Sequence, residues 1–235
     1  MTPFALPLDN ARIKRVNSFQ ELVTTQFADG VNALCWERTL PGDFAEVVAL
    51  LGGTEGINVI DDAQLLGLRV SAAGRTAVDI LRADHRLLRD HGVDPVLNCI
   101  VAYPRDEEPG PVRTDVFSFH ADSAPVEADT FLCTYYGAPS EGVRNEEAQR
   151  RVDIAATRAE LLKLFGGEDN DVFRAYLNEH CYDLHYALAP SAQPFSFGLG
   201  NLWRIAIEYP GCPVPPCIHR APDTVSGQPR LMMIA

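Results

Sequence analysis

The sequence lacks the long apolar segments and basic clusters that would assign it to a membrane or a nucleic acid. No apolar run reaches the ~18 residues that indicate a membrane-spanning helix, and the first residues carry neither the basic segment nor the apolar core of a signal peptide. The formal net charge is −12, so phosphate neutralisation offers no driving force for binding nucleic acid. We therefore expect a cytoplasmic protein that binds neither a membrane nor a nucleic acid.

The motifs of several common enzyme classes are missing as well. The chain has no G-x-S-x-G, no P-loop and no G-x-G-x-x-G, and Gly198-Leu-Gly200 without a third glycine is interpreted as a turn. The six cysteines are scattered along the chain, which favours free thiols over a disulfide framework. The sequence therefore contains none of these motifs that would point to a serine hydrolase or a nucleotide-binding enzyme.

The 235 residues, 46% of them hydrophobic, are enough for one large domain with a substantial core. Periodicity and turn residues predict a mainly helical layer over about residues 1–95 and a β-rich core over 96–235, with a helical insert at about 140–190. We expect a single α+β domain, 1–235, in which the helices pack on a barrel-like core. The insert could cover a site as a lid or contact a second subunit, so a homodimer stays possible.

The local signals also predict the individual elements. Helices are expected at residues 18–28, 41–51, 76–91, 145–165 and 171–181, with a helical turn at 63–68. Strands are expected at residues 31–36, 57–60, 96–103, 115–122, 129–136, 195–197, 202–207, 217–220 and 229–234. The strands at 96–103, 115–122 and 129–136 follow one another closely, which predicts an antiparallel meander.

A candidate metal site begins with His120 and Asp122, which form an H-x-D. Residues two apart on an extended strand project from the same face, so the imidazole and the carboxylate would point into the same space. A third ligand is available far downstream at His219. Two histidines and one carboxylate form the facial triad of non-haem Fe(II) oxygenases, which leaves coordination sites open.

Together with Arg230 in a terminal apolar strand, this pattern resembles the Fe(II)/2-oxoglutarate-dependent oxygenases, whose motif is His-x-Asp, a variable gap, His, and then Arg or Lys. The resemblance covers about residues 96–235. It implies a double-stranded β-helix (jelly-roll, cupin-like) core, with Fe(II) bound by His120, Asp122 and His219. It also implies that Arg230 pairs with the distal carboxylate of 2-oxoglutarate. The expected function is that of a dioxygenase, an oxidoreductase that uses O2 to hydroxylate a small molecule; desaturation and cyclisation use the same ligands.

Three further residues are candidates for the 2-oxoglutarate pocket. Tyr103, Tyr135 and Asn98 are chosen because members of the family often use a Tyr or an Asn there. Core packing or cross-strand pairing explains them equally well. Arg220 directly follows a candidate ligand and would point the other way in a strand, so we expect a structural role for it.

Other interpretations stay open. A cupin-like barrel could bind a metal as a sensor or binding protein, without oxidative turnover. Cys212 and Cys217 could hold zinc with His219, although C-x4-C-x-H is not a standard finger and no fourth ligand is evident. A zinc hydrolase would lack an obvious Glu base. We expect His180 and His185 to be surface or interface histidines.

Overall fold

The computed structural model describes residues 10–53, 55–105, 110–223 and 227–235. Within these ranges the α-helices are α1 (Phe19–Thr24), α2 (Phe44–Leu51), α3 (Asp62–Gly67), α4 (Ala72–Asp90), α5 (Ala155–Phe165) and α6 (Asp171–Glu179). The strands are β1 (Ile13–Val16), β2 (Ala33–Trp36), β3 (Ile57–Ile60), β4 (Val96–Ile100), β5 (Asp129–Tyr136), β6 (Glu141–Val143), β7 (Ala148–Arg150), β8 (Tyr186–Leu188), β9 (Phe195–Ser196), β10 (Leu202–Ala206), β11 (Ile218–Arg220) and β12 (Arg230–Ile234). In the part of the chain that is described, no helix has the length and apolar character needed to cross a bilayer.

Seven strands form one large sheet in the order β1-β2-β10-β5-β12-β4-β3. The β1–β2 pair is parallel, and every other neighbouring pair of this sheet is antiparallel. A smaller sheet has the order β11-β6-β9, and β7 pairs with β8. The protein is therefore a mixed α/β fold built on a large, mainly antiparallel sheet.

The large sheet has a buried core on each of its two faces. Successive side chains on a strand point to opposite faces, so a strand can contribute to both cores. On β12, Leu231 and Met233 belong to a core that includes Leu22 of α1 and Leu81 of α4. Met232, between them, belongs to a second core with residues such as Trp203 of β10. One face of the sheet thus packs on the N-terminal helices, and the other faces the smaller sheet.

Capping explains where two helices begin and end. The Asp43 side chain accepts a hydrogen bond from the Glu46 backbone at the start of α2, and Gly52, with φ 61, ends this helix as the sequence predicts. The first helix stops at Thr24, earlier than predicted. Nη1 of Arg204, on β10, donates hydrogen bonds to the carbonyl groups of Leu22, Val23 and Thr25 at 2.9–3.2 Å. A residue distant in sequence therefore satisfies the carbonyl groups at this end of α1.

The predicted meander is wrong. Strand β12 lies between β4 and β5, and its Met232 is opposite Asn98 on one side and Thr134 on the other. The expected strand at 115–122 is also not regular. Its His120 forms single-residue bridges with His219 and His185. Both errors concern pairing between distant segments, which local patterns do not encode.

The single helix predicted at 145–165 is likewise corrected. Residues 145–147 and 151–153 form short 3₁₀ turns, β7 lies between them, and α5 begins only at Ala155. Strand β7 is extended because it pairs with β8, with Arg150 opposite Tyr186. The cross-strand pairing takes precedence over a charged sequence that is compatible with a helix. Helices α5 and α6 form a separate apolar cluster around Leu161 and Phe173.

A buried ion pair fastens α4 to the large sheet. The guanidinium of Arg38 donates two hydrogen bonds to the carboxylate of Asp84 at 2.7 and 2.8 Å, and the Tyr135 hydroxyl donates a third at 2.7 Å. Burial acts to lower the pKa of Arg38, but the hydrogen bond with Asp84 and the neighbouring groups raise this pKa above its usual range. The pair thus holds a charged network inside the helix-facing core.

Asp84→Ala should strongly destabilise the fold, because it leaves the guanidinium of Arg38 buried without its carboxylate. Removing one partner of a buried pair costs ~3–5 kcal/mol. Urea unfolding monitored by circular dichroism measures this loss. The control is Asp62→Ala, which removes an exposed pair with Arg82 and should cost far less. Equal losses in the two variants would show that the buried pair has no special role.

Candidate metal centre

Strand pairing brings His120 and His219 together. The backbone N–H of each residue donates to the carbonyl of the other at 2.9 Å, which makes them an antiparallel bridge. Residues opposite each other in such a bridge project from the same face, and the two imidazole centroids are 4.7 Å apart. Asp122 follows two residues after His120, as the H-x-D pattern predicts.

The three side chains form a compact group of possible metal ligands. The His120 Nε2 atom lies 3.9 Å from Oδ1 of Asp122, and the His219 Nε2 atom lies 3.8 Å from Oδ2. All the candidate donor atoms lie within 4.8 Å of one another. These distances are too long for hydrogen bonds. The His-Asp-His group could therefore bind a metal ion among its three donors.

Surrounding hydrogen bonds hold these ligands in place. The carbonyl of Ser118 lies 2.7 Å from Nδ1 of His120, and a carbonyl can only accept. Nδ1 therefore carries the proton, and Nε2 keeps a lone pair that can bind a metal ion. The Thr130 hydroxyl donates to Oδ2 of Asp122 at 2.6 Å. Such outer contacts are typical of metal sites, where they fix the orientation of each ligand.

The electrostatics favour the protonation states that bind metals. Burial, followed by the proximity of His219, lowers the pKa of His120 to about 4, so its imidazole is neutral at neutral pH. Burial acts to raise the pKa of Asp122, but His219, the Thr130 hydrogen bond and His120 together lower it. A neutral imidazole and an ionised carboxylate are the forms that coordinate a cation.

Arg230 is buried next to this group without a carboxylate partner in the described residues. The side chain is 2% exposed. Its guanidinium donates to the hydroxyl groups of Tyr103 at 2.6 Å, Ser140 at 3.1 Å and Thr134 at 3.4 Å. Its Nε atom is buried and has no hydrogen-bond partner among the residues that the structure describes. Burial lowers the pKa of Arg230, which is the expected result for a cation without an adjacent anion.

One cavity of about 270 Å³ connects the ligand group to Arg230. It is lined by Ile57, Asn98, Ile100, Tyr103, Val116, His120, Asp122, Leu132, Ser140, His219, Ala221, Arg230, Met232 and Ile234. The cavity therefore contains a possible metal site and a buried cation in the same space. Neither α5 nor α6 contributes a residue to this lining. The structure therefore does not test whether the helical insert is a lid.

The three residues predicted for the 2-oxoglutarate pocket lie on two different faces of the large sheet. Tyr103 and Asn98 line the cavity with Arg230. Tyr135 does not, because its hydroxyl binds Asp84 in the helix-facing core. Its expected cofactor role is therefore corrected: alternation along β5 directs Thr134 towards Arg230 and Tyr135 away from it.

Two residues close to the candidate metal site, Ser140 and His185, are not predicted to lie there from the sequence. Ser140 binds Arg230, but a serine after a turn gives no signal of that contact. His185 is only 4% exposed, and its ring centroid lies 5.6 Å from that of His120, so it is not a surface histidine. His180 is exposed as expected.

The cysteines do not extend the metal group. Among the described residues, the cluster of possible ligands comprises His120, Asp122 and His219 without a thiol. The Cys212 thiol donates to the Val214 carbonyl. Burial, with a further contribution from Asp122, raises the pKa of Cys217 to about 12, which keeps this thiol protonated. The zinc alternative therefore finds no support in the geometry.

Arg220 pairs with Glu141, in agreement with its expected structural role.

No family model matches the chain, and no curated protein or solved structure is significantly similar to it. The assignment of a function therefore depends on the site itself.

His219→Ala should abolish specific binding of a divalent cation, because the two remaining side chains cannot form a three-ligand site. Anaerobic titration calorimetry with Fe(II) measures the affinity. A variant that kept the affinity of the unaltered protein would exclude His219 as a ligand.

Thr130→Val should lower the metal affinity by roughly 10–100-fold, because it removes the hydrogen bond that orients Asp122. The matched control is Thr134→Val on the same strand, which alters the surroundings of Arg230 and should leave metal affinity unchanged. The same titration compares the two variants. An equal effect in both would argue against a specific role for the Thr130 hydroxyl.

Proposed function

We propose that this protein is an Fe(II)/2-oxoglutarate-dependent oxygenase that hydroxylates a small molecule. The observation that carries the proposal is the shared cavity: two histidines and one carboxylate lie at one position, and a buried arginine with no described carboxylate partner lies at another. A metal ion and a dicarboxylate would supply the charges that these two positions lack.

We further propose that the core is a double-stranded β-helix. Strands β4, β12, β5 and β10 are adjacent in the large sheet, while β11, β6 and β9 form the smaller sheet, which His120 extends through its bridge to His219. Along the chain, most consecutive strands of this set alternate between the two sheets, and an apolar core that includes Trp203 and Cys217 lies between them. Antiparallel strands that alternate in this way are expected in a jelly roll.

The three ligands suit Fe(II). Two neutral imidazoles and one carboxylate form the facial arrangement of non-haem Fe(II) oxygenases and leave three positions for other ligands. When bound, Fe(II) and 2-oxoglutarate would supply the activation of O2 and the oxidation of a C–H bond, with succinate and CO2 as co-products. His120, Asp122 and His219 would hold the ion, and Thr130 would keep the carboxylate in position.

Arg230 would select the co-substrate. A guanidinium offers parallel N–H donors that match a carboxylate, and the hydroxyl groups of Tyr103, Ser140 and Thr134 fix its plane. Within the described part of the chain, the Nε atom has no hydrogen-bond partner. The distal carboxylate of 2-oxoglutarate would bind this buried cation, while its keto acid end reaches the ligand group in the same cavity.

The direct test is optical. Adding 2-oxoglutarate to the anaerobic Fe(II) protein should produce a weak visible charge-transfer band, because the keto acid chelates the ion. Succinate, which lacks the keto group, is the control and should give no band. Metal binding without a band would favour a cupin-like protein that binds a metal without oxidative turnover.

Arg230→Leu should weaken 2-oxoglutarate binding by about two orders of magnitude, since losing one partner of a buried charge pair costs ~2–5 kcal/mol. Titration of the visible band gives the affinity. Arg220→Leu is the control, because Arg220 pairs with Glu141 and does not line the cavity. An unchanged affinity in Arg230→Leu would place the distal carboxylate elsewhere.

A further inference from the structure

The polar side chains of the cavity already have roles in the proposed function. His120, Asp122 and His219 are the metal ligands, and Tyr103 and Ser140 bind Arg230. Asn98, the remaining polar residue of the lining, donates weakly to the Val96 carbonyl at 3.4 Å. The rest of the lining is aliphatic and consists of Ile57, Ile100, Val116, Leu132, Ala221, Met232 and Ile234, with the thioether of Met232 among them.

The lining offers no further charged group to a substrate. Among the described residues that line the cavity, Arg230 is the one permanent cation and Asp122 the one carboxylate. Both are used by the co-substrate and the metal. A charged group of a substrate would therefore lie in this cavity without a counter-charge, which is strongly unfavourable.

The aliphatic surface continues from the cavity to the solvent. Ile57, Val116 and Ile234 line the cavity and are nevertheless 48%, 36% and 38% exposed. Ile57 lies on β3, the edge strand of the large sheet, opposite Ile100 on β4. The entrance is therefore apolar as well as the interior, and a hydrocarbon group could remain in contact with apolar atoms along the whole path.

The size of the cavity limits what enters it. A volume of about 270 Å³ lies at or below the lower end of ligand pockets, which are ~300–1,000 Å³, and 2-oxoglutarate would occupy part of it. Only a narrow part of a substrate fits beside the co-substrate. The remainder would lie at the entrance, over Ile57 and Val116.

We propose that the substrate is a small molecule that presents an uncharged hydrocarbon segment, an alkyl or aryl group, to the ligand group. This inference rests on the proposed function in that it places the substrate in the metal-containing cavity. The segment binds by burying apolar surface against the aliphatic lining, and charged groups of the substrate remain outside the cavity.

The two C-terminal methionines allow a direct test. Met232 lines the cavity, whereas Met233 is buried on the opposite face of the sheet. The probe is the Asp122→Asn variant labelled with ¹³C at the methionine methyl groups, in which no carboxylate of the described lining can pair with an amine. It is titrated with 1-hexanol and, separately, with 1,6-diaminohexane, which is charged at both ends. The Met232 signal, assigned with Met232→Leu, should shift saturably with 1-hexanol, while the Met233 signal stays in place. Binding of the diamine should be roughly tenfold weaker or worse.

The outcomes separate this inference from the proposed function. An equal response of Met232 to both compounds, or no response to 1-hexanol, would overturn the inference. The titration requires neither metal nor 2-oxoglutarate, so it remains decisive if the visible band is absent. The band, in turn, does not depend on the hydrocarbon probe.

A pair of variants locates the entrance. Ile57→Asp places a charge at the apolar entrance and should weaken the 1-hexanol response of Met232 severalfold. Leu164→Asp, a change at an exposed aliphatic residue on α5 that does not line the cavity, should leave the response unchanged. A response in Ile57→Asp equal to that in Leu164→Asp would contradict the proposed path over β3.

Discussion

The large sheet separates two interiors, and this separation determines the role of each side chain on its central strands. Because alternate residues face opposite sides, β12 directs Leu231 and Met233 to the helices and Met232 to the cavity. The helix-facing side is filled by apolar groups and the charge network of Arg38 and Asp84. The other side contains the possible metal ligands. A shift of β12 by one residue would exchange the two sets, so its register is essential to both interiors.

The two buried arginines on opposite sides of this sheet differ in their partners. Arg38 has Asp84 as a carboxylate partner with two parallel hydrogen bonds, and its pKa is raised. Arg230 has only hydroxyl partners in the described residues, and its pKa is lowered. A fold that needed only stability would have little reason to bury a cation in the second way. Among the described residues, the guanidinium of Arg230 therefore has no counter-charge, whereas that of Arg38 has one.

The sequence predicts local features well and long-range features poorly. The bounds of β5, Asp129–Tyr136, are as predicted, and the proximity of His120 and Asp122 agrees with the two-residue period of a strand. His219 joins them through a bridge to His120, which is a contact between distant segments. The insertion of β12 between β4 and β5 is not predicted, because strand order depends on contacts between distant segments. The placement of Tyr135 fails for a related reason: alternation indicates which residues share a face, but not which interior that face meets.

The backbone around His120 is paired irregularly, in contrast to the regular ladders of the large sheet. His120 forms single-residue bridges with His219 on β11 and with His185. Its backbone is joined to β11 by two hydrogen bonds, in which the N–H of each histidine donates to the carbonyl of the other. An ion bound by His120, Asp122 and His219 would cross-link this segment to β11, and its binding free energy would add directly to the free energy of local opening. The bound cation would then also stabilise the local structure. The protein with the ion and the protein without it would differ in the rigidity of this segment even when no substrate is bound.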